Sequence, residues 1–149
     1  MATNWNKSIL DEFHAKGGKG VRHFGDRLLL LTTKGAKTGR ILTTPVAYHV
    51  DNGGYVVAAS KGGAPTHPGW YHNLVANPEA TVEIGTETFK VHARPLAKGP
   101  ERDRLYAEHA RLMPDLGFAG YPKKTKRTIP VVVLERSKVR TYAEQVVSA

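Results

Sequence analysis

Two short stretches of this chain set glycine beside cations: Lys34-Gly35-Ala36-Lys37-Thr38-Gly39-Arg40 and Ser60-Lys61-Gly62-Gly63. Glycine lets a backbone bend and come close to a ligand. Ammonium and guanidinium groups at such a bend form charge-assisted hydrogen bonds with phosphate or carboxylate. Neither stretch has the spacing of the nucleotide-binding P-loop, so the motif is a generic anion site. An ordinary connection with solvated lysines has the same composition. The residues by themselves leave both readings open.

Other chemistries fare worse. The chain has no cysteine, which removes disulfides, thiolate catalysis and Cys-ligated metals. Seven histidines are present, but His67 and His72 are spaced for different helix faces, and no HExxH pair occurs. The expectation is no metal site. Ser60 lacks the GxSxG elbow of hydrolases, and the acidic residues form no paired constellation. If the chain is an enzyme, a cofactor carries its reaction.

The elements around the two stretches are strands. Arg27–Thr33 reads as a strand apolar on both faces, and it delivers the first glycine stretch. Ile41–Val50 is β-rich and turns at Asp51-Asn52-Gly53-Gly54 into Tyr55–Ala59, which delivers the second. Sheet geometry can bring both stretches to one end. Past Gly63, Thr66 is the expected N-cap of a helix with Pro68 in its first turn, closed by Asn77-Pro78. Ala80–Ile84 and Glu87–Arg94 alternate around Gly85-Thr86 as a hairpin. Pro100 to Met113 is helical, with Leu105, Tyr106, His109 and Leu112 on one stripe. In Met113–Lys126 four Gly or Pro residues punctuate a segment holding Phe118 and Tyr121, either a lid over a planar ligand or a packed connection. Ile129–Glu135 is the last strand.

An amphipathic helix from about Asn4 to Lys16, carrying Ile9, Leu10 and Phe13, precedes all of this. It is expected to dock on its own domain, with weak contact to a membrane surface left open. The count is about six mainly antiparallel strands and three helices, an α+β pattern built on a sheet or small barrel. One domain over 1–149 is expected, with a core at 27–135 and a polar tail at 137–149 to which no role is assigned.

The balance of 22 basic and 13 acidic residues gives a net charge of +9, which favours a polyanionic partner. No secretory signal is visible and no apolar run approaches a membrane span, so the expected location is the cytoplasm. Stacking aromatics interleaved with basic residues are absent, so no nucleic acid is expected.

Taken in order, Leu31–Arg40, Ala58–Gly63, Pro68-Gly69-Trp70-Tyr71-His72-Asn73-Leu74, Asn77-Pro78 and Arg127-Thr128-Ile129-Pro130 resemble one family. It is the deazaflavin-dependent nitroreductase family of actinobacteria, which uses coenzyme F420. The similarity runs from about Arg27 to Glu135. It implies a split β-barrel of the flavin-reductase type, with the coenzyme in a groove. That coenzyme has a planar tricyclic ring, a phosphodiester and an oligoglutamate tail.

Carried over by motif, Lys37, Arg40 and Lys61 would meet phosphate or carboxylates, and Gly62 and Gly63 would offer amides. Ala58, Ala59 and Ser60 would line the ring, and Trp70 and Asn73 would complete the pocket. Phe118 and Tyr121 would face the substrate, with Tyr121 as proton donor or orienter. Many members carry a second basic residue where this chain has Leu42, and Arg40 stands in for it. The family's nitroimidazole activator has several lid tyrosines, of which this chain keeps Tyr121.

The activity implied is hydride transfer from reduced F420 to an electron-poor small molecule: a quinone, an activated alkene, or a nitroaromatic. The alternative is a non-catalytic binder of the deazaflavin, an anionic lipid or nucleic acid. Whether two chains associate is left open.

Overall fold

The computed structural model describes residues 2–137, so all of the polar tail except Ser137 lies outside the described residues. The run Leu28-Leu29-Leu30-Leu31 opens strand β1 (Leu28–Lys34), and all four leucines are buried. It lacks polar alternation because both of its faces are covered. Leu29 and Leu31 join an interior cluster with Val57, Val82, Val91, Val132 and Leu134. Leu28 and Leu30 pack against Ile9 and Phe13 of helix α1 (Ala2–Ala15). The helix therefore spends its apolar face on its own sheet, as expected. Burying such side chains contributes about 1.5–3 kcal/mol each.

Strands β2 (Ile41–Ala47), β3 (His49–Asp51), β4 (Gly54–Ala58), β5 (Glu79–Ile84), β6 (Glu87–Leu96) and β7 (Val131–Arg136) complete one sheet. Its order is β2-β1-β5-β6-β7-β4-β3, and every neighbouring pair is antiparallel. The two edge strands, β2 and β3, are separated in the chain by Tyr48 alone. One bent stretch thus pairs with both ends of the sheet and curls it into a split barrel. The expected β-rich run Ile41–Val50 is this stretch, and its break at Tyr48 makes seven strands where about six were expected.

Four antiparallel steps lead from β1 through β5, β6 and β7 to β4, so β1 and β4 run the same way. Their C-terminal ends, and the two glycine stretches that follow, share one end of the barrel. Helix α2 (Gly69–Ala76) lies there and inserts Trp70, Tyr71 and Leu74 into the interior cluster.

Helix α3 (Pro100–Leu112) covers the outer face of β4 and β7, where Leu105, Tyr106 and Met113 meet Val56, Ala58, Val131 and Val133. Two expectations fail locally. Leu112 is 43% exposed while Met113 is buried, because the helix ends at Leu112 and the chain turns inward after it. The α2 N-cap is Pro68, not Thr66; Pro68 is extended and the helix starts at Gly69, which leaves Thr66 in a bend before it.

Candidate functional site

The barrel is split where β2 departs from β4. Up to Val56 the strand β4 pairs with β3 through His49↔Val56. Beyond Tyr48 the bent stretch leaves β4, and a cleft of about 430 Å³ opens between them. Thr44, Pro45, Val46 and Ala47 form one wall, and Ala58, Ser60, Lys61 and Gly62 the other. Pro68 and Trp70 sit at the start of α2, and Leu116, Phe118 and Tyr121 close the third side. A second groove, of about 480 Å³, is lined by Lys37, Thr38, Arg40, Leu42, Gly69, His72 and Asn73, among others. The two grooves are neighbours: Pro68 and Trp70 line the first and Gly69 the second, and each takes residues from β2.

The expected site residues therefore divide. Ala58, Ser60, Lys61, Gly62, Trp70, Phe118 and Tyr121 line the first groove, and Lys37, Arg40 and Asn73 the second. Ala59 and Gly63 line neither: both are buried behind the wall. The Gly63 amide is already given to the Ser60 carbonyl at 2.9 Å, and the Ala64 amide to Lys61. A Cβ at Gly63 would meet Lys124 and the Tyr121 carbonyl at 3.0 and 3.2 Å, so close packing requires this glycine. At Gly62 a Cβ would meet nothing within 4 Å, while φ is +64°. That backbone faces open space in a conformation glycine tolerates. Lys61 beside it also has positive φ, 47°, a conformation non-glycine residues seldom take and which clusters at functional sites.

Charge is distributed unevenly around the molecule. Several arginines away from the grooves are neutralised: Arg27 by Asp115 at 2.9 Å, Arg94 by Glu101 at 2.8 Å, Arg104 by Asp51 at 3.1 Å and Arg136 by Glu87 at 2.9 Å. Neither groove has an aspartate or glutamate in its lining. Among the described residues Lys37, Arg40 and Lys61 form no ion pair; Lys61 reaches only the Thr66 hydroxyl, at 3.3 Å. Unpaired cations converging on acid-free grooves are a site for an anion.

Each basic loop has an anchor behind it. Asn73 accepts from the Ala36 amide at 3.0 Å and donates to the Thr33 hydroxyl at 3.0 Å. It holds the 34–40 loop against α2, a role its place in the motif did not reveal. The second anchor is Arg127, which donates to the carbonyls of Ala59, Ser60 and Ala64 and to Nδ1 of His67. Arg127 was legible as part of a motif and carried no role, because nothing local separates it from Lys123, Lys124 and Lys126. Partial burial, then the nearby Arg127 and His72, hold His67 below the ordinary imidazole range. It is neutral near pH 7, as an acceptor at Nδ1 must be.

The 113–126 segment is packed down. The Tyr106 hydroxyl donates to the Phe118 carbonyl at 2.6 Å, and the Tyr121 hydroxyl to the Leu116 carbonyl at 2.9 Å. Tyr121 presents its ring to the cleft while its proton is engaged within the loop. Behind Phe118 stands His109, edge-on at 4.4 Å between ring centroids, with Nδ1 2.7 Å from Nδ1 of His49. Burial lowers the pKa of both, His109 to about 3. The pair is neutral, and one ring donates to the other.

The family described as F420H(2)-dependent quinone reductase matches residues 6–136. The chain belongs to that family. An F420H(2)-dependent quinone reductase of Mycobacterium tuberculosis is 42% identical over 111 residues, covering 72% of each chain. A solved F420-H2 dependent reductase (FDR-A) is 39% identical, with a TM-score of 0.65 over 73% of this chain and 94% of its own. A solved structure described as a domain-swapped dimer is 36% identical, with a TM-score of 0.67 over 91% of this chain and all of its own. Membership makes this an F420-dependent oxidoreductase of split-barrel fold. The donor set fits the coenzyme: an apolar, aromatic cleft suits a planar ring, and a neighbouring groove of unpaired cations suits an anionic tail.

Proposed function

We propose that the coenzyme's ring occupies the cleft between β2 and β4, and that its phosphate and tail follow the groove of Lys37 and Arg40. The acceptor then enters beside Phe118 and Tyr121, and it is a quinone or an activated alkene in preference to a nitroaromatic. The observation that carries this reading is the pair of neighbouring grooves, free of carboxylates and bordered by unpaired cations.

When bound, reduced F420 supplies a hydride. This chain's own residues bind and orient. Lys61 lines the cleft, where its ammonium can neutralise a phosphate of the coenzyme. The Ser60 hydroxyl and the Gly62 backbone border the cleft and offer polar contacts to the edge of a flat ligand. Trp70 and Pro68 set the cleft's apolar limit, and Phe118 gives an aromatic acceptor a surface to stack on. Reduction of a quinone to its quinol also consumes a proton. Tyr121 donates its own to Leu116, so water entering the open cleft supplies that proton and the Tyr121 ring contributes shape. Catalysis then rests on orientation and charge stabilisation, with no protein nucleophile.

The test is an equilibrium titration with F420 and with FMN, followed by turnover against a quinone, an enone and a nitroimidazole. F420 should bind far more tightly, because FMN lacks the long anionic tail. Equal or tighter FMN binding would remove the tail groove from the reading. Tight F420 binding without turnover of any acceptor would make the chain a carrier of the coenzyme.

A further inference from the structure

We propose that Arg127 is a positioning residue for coenzyme binding: it clamps both ends of the 59–67 loop so that Lys61 and Gly62 face the cleft, and neutral His67 completes the clamp. The proposal rests on the functional reading above. Its basis is a set of distances. Arg127 Nη1 lies 3.2 Å from the Ala59 carbonyl oxygen and 2.9 Å from His67 Nδ1, and Nη2 lies 2.8 Å from the Ser60 oxygen. Nε lies 2.9 Å from the Ala64 oxygen. One guanidinium therefore grips the residues just before the Lys61-Gly62-Gly63 turn and those just after it.

The turn needs such a grip. Lys61, Gly62 and Gly63 all have positive φ, at 47°, 64° and 83°, and the lysine adopts that conformation at a cost. Only the Ser60···Gly63 and Lys61···Ala64 hydrogen bonds close the turn from within. A planar guanidinium offers five N–H donors in fixed directions, and four acceptors here match them. Lysine, with one ammonium on a flexible stem, cannot span the same four. No carboxylate pairs with Arg127 among the described residues, so its charge remains beneath the loop and adds to the field an anion meets.

His67 makes the clamp sensitive to acid. Its ring touches those of Tyr71, at 4.9 Å, and His72, at 5.7 Å, and the Lys61 ammonium reaches the adjoining Thr66. No acid faces it from these neighbours. A proton on Nδ1 would turn the acceptor into a donor and set two cations against each other. The loop should then lose its hold as the pH falls below the ordinary imidazole range, about 6.5. Asparagine at 67 keeps a fixed acceptor and does not titrate.

The experiment measures coenzyme affinity, steady-state KM and kcat, and coenzyme-free melting for wild type, Arg127→Lys, His67→Asn, Lys61→Ala and the Arg127→Lys/Lys61→Ala double variant. Arg127→Lys should weaken binding about tenfold or more, the scale of losing one or two hydrogen bonds from a charged donor. It should raise the coenzyme KM while leaving kcat at saturating coenzyme nearly unchanged. Its effect and that of Lys61→Ala should be less than additive, since both remove the same contact. Amide hydrogen exchange at Gly63 and Ala64 without coenzyme should quicken in Arg127→Lys. Wild-type affinity should hold from pH 7 down to about 6.5 and fall below it, and His67→Asn should flatten that fall.

Unchanged affinity in Arg127→Lys, or strict additivity with Lys61→Ala, overturns the clamp while leaving the coenzyme reading intact. A pH profile identical in His67→Asn removes His67 from it. A wild-type chain that does not bind F420 overturns the functional reading, and the clamp falls with it.

Discussion

The two basic loops at the barrel's end border neighbouring grooves and are held by different chemistry. The 34–40 loop is pinned by the Asn73 amide, a neutral group that accepts one bond and donates another. The 59–67 loop is pinned by a cation, Arg127, which is itself matched to a titratable acceptor. The first anchor adds no charge and is indifferent to pH. The second adds charge under the site and depends on His67 staying neutral. One loop has a fixed shape, and the other has a shape that solution conditions can release.

Asn73→Leu should have the largest effect on the protein itself. It leaves the Ala36 amide and the Thr33 hydroxyl without their partner beside the core, a loss of about 2–3 kcal/mol. Thermal melting without coenzyme should fall, and coenzyme affinity with it. Unchanged melting would mean that the 34–40 loop holds itself. Lys61→Ala sharpens the contrast from the other side. It should cost about 1.5–3 kcal/mol of coenzyme affinity and leave melting nearly unmoved. Falling stability with preserved affinity would make Lys61 structural.

A smaller effect is expected from Tyr121→Phe. The ring stays, and one bond to Leu116 is lost, about 1 kcal/mol. If kcat for an enone drops more than tenfold while coenzyme affinity holds, the hydroxyl acts on the acceptor and its engagement with Leu116 is broken during turnover. The smallest effect is a control in acid for the Arg127–His67 anchor. The His49–His109 pair has pKa values lowered on folding, so the unfolded chain binds more protons. Its stabilising contribution is complete above about pH 6.5 and declines as the pH falls toward about 3. Melting should therefore begin to drop below pH 6.5 in wild type and in His67→Asn alike. Acid sensitivity of affinity that survives His67→Asn would belong to this pair, acting through Phe118.

Much of the barrel was legible because strand patterning records burial. Leu28–Leu31 reads as covered on both faces, and it is. The two glycine stretches could be placed at one end because hairpin alternation dictates strand direction. The anchors were not legible. Periodicity reports the face on which a residue lies, and Asn73 and Arg127 act through partners some 40 to 70 positions away in the chain. The break at Tyr48 spans one residue, too short to disturb a β-rich run. It nevertheless decides where the cleft opens and makes Thr44–Ala47 a wall of it. The change from buried Met113 to exposed Leu112 turned on where α3 stops, and helix ends are set by capping contacts that a stripe does not encode.

The one-residue joint at Tyr48 also bears on the order in which the chain folds. The β1–β2, β3–β4 and β5–β6 hairpins join neighbours in sequence and close small loops. Pairing of β4 with β7 brings together strands separated by about half the chain, as in Val57↔Val132. Closing that loop costs more entropy and comes later. Because β2 and β3 are one stretch, the first two hairpins are already tethered to each other before the ring is complete. The β4–β7 zipper is then the closing step, and the 59–67 loop and Arg127 sit directly at its end. In pulse-labelled refolding, the β4 and β7 amides that bond across the β4–β7 seam should gain protection last, after those that join β7 to β6, and coenzyme binding should appear with them.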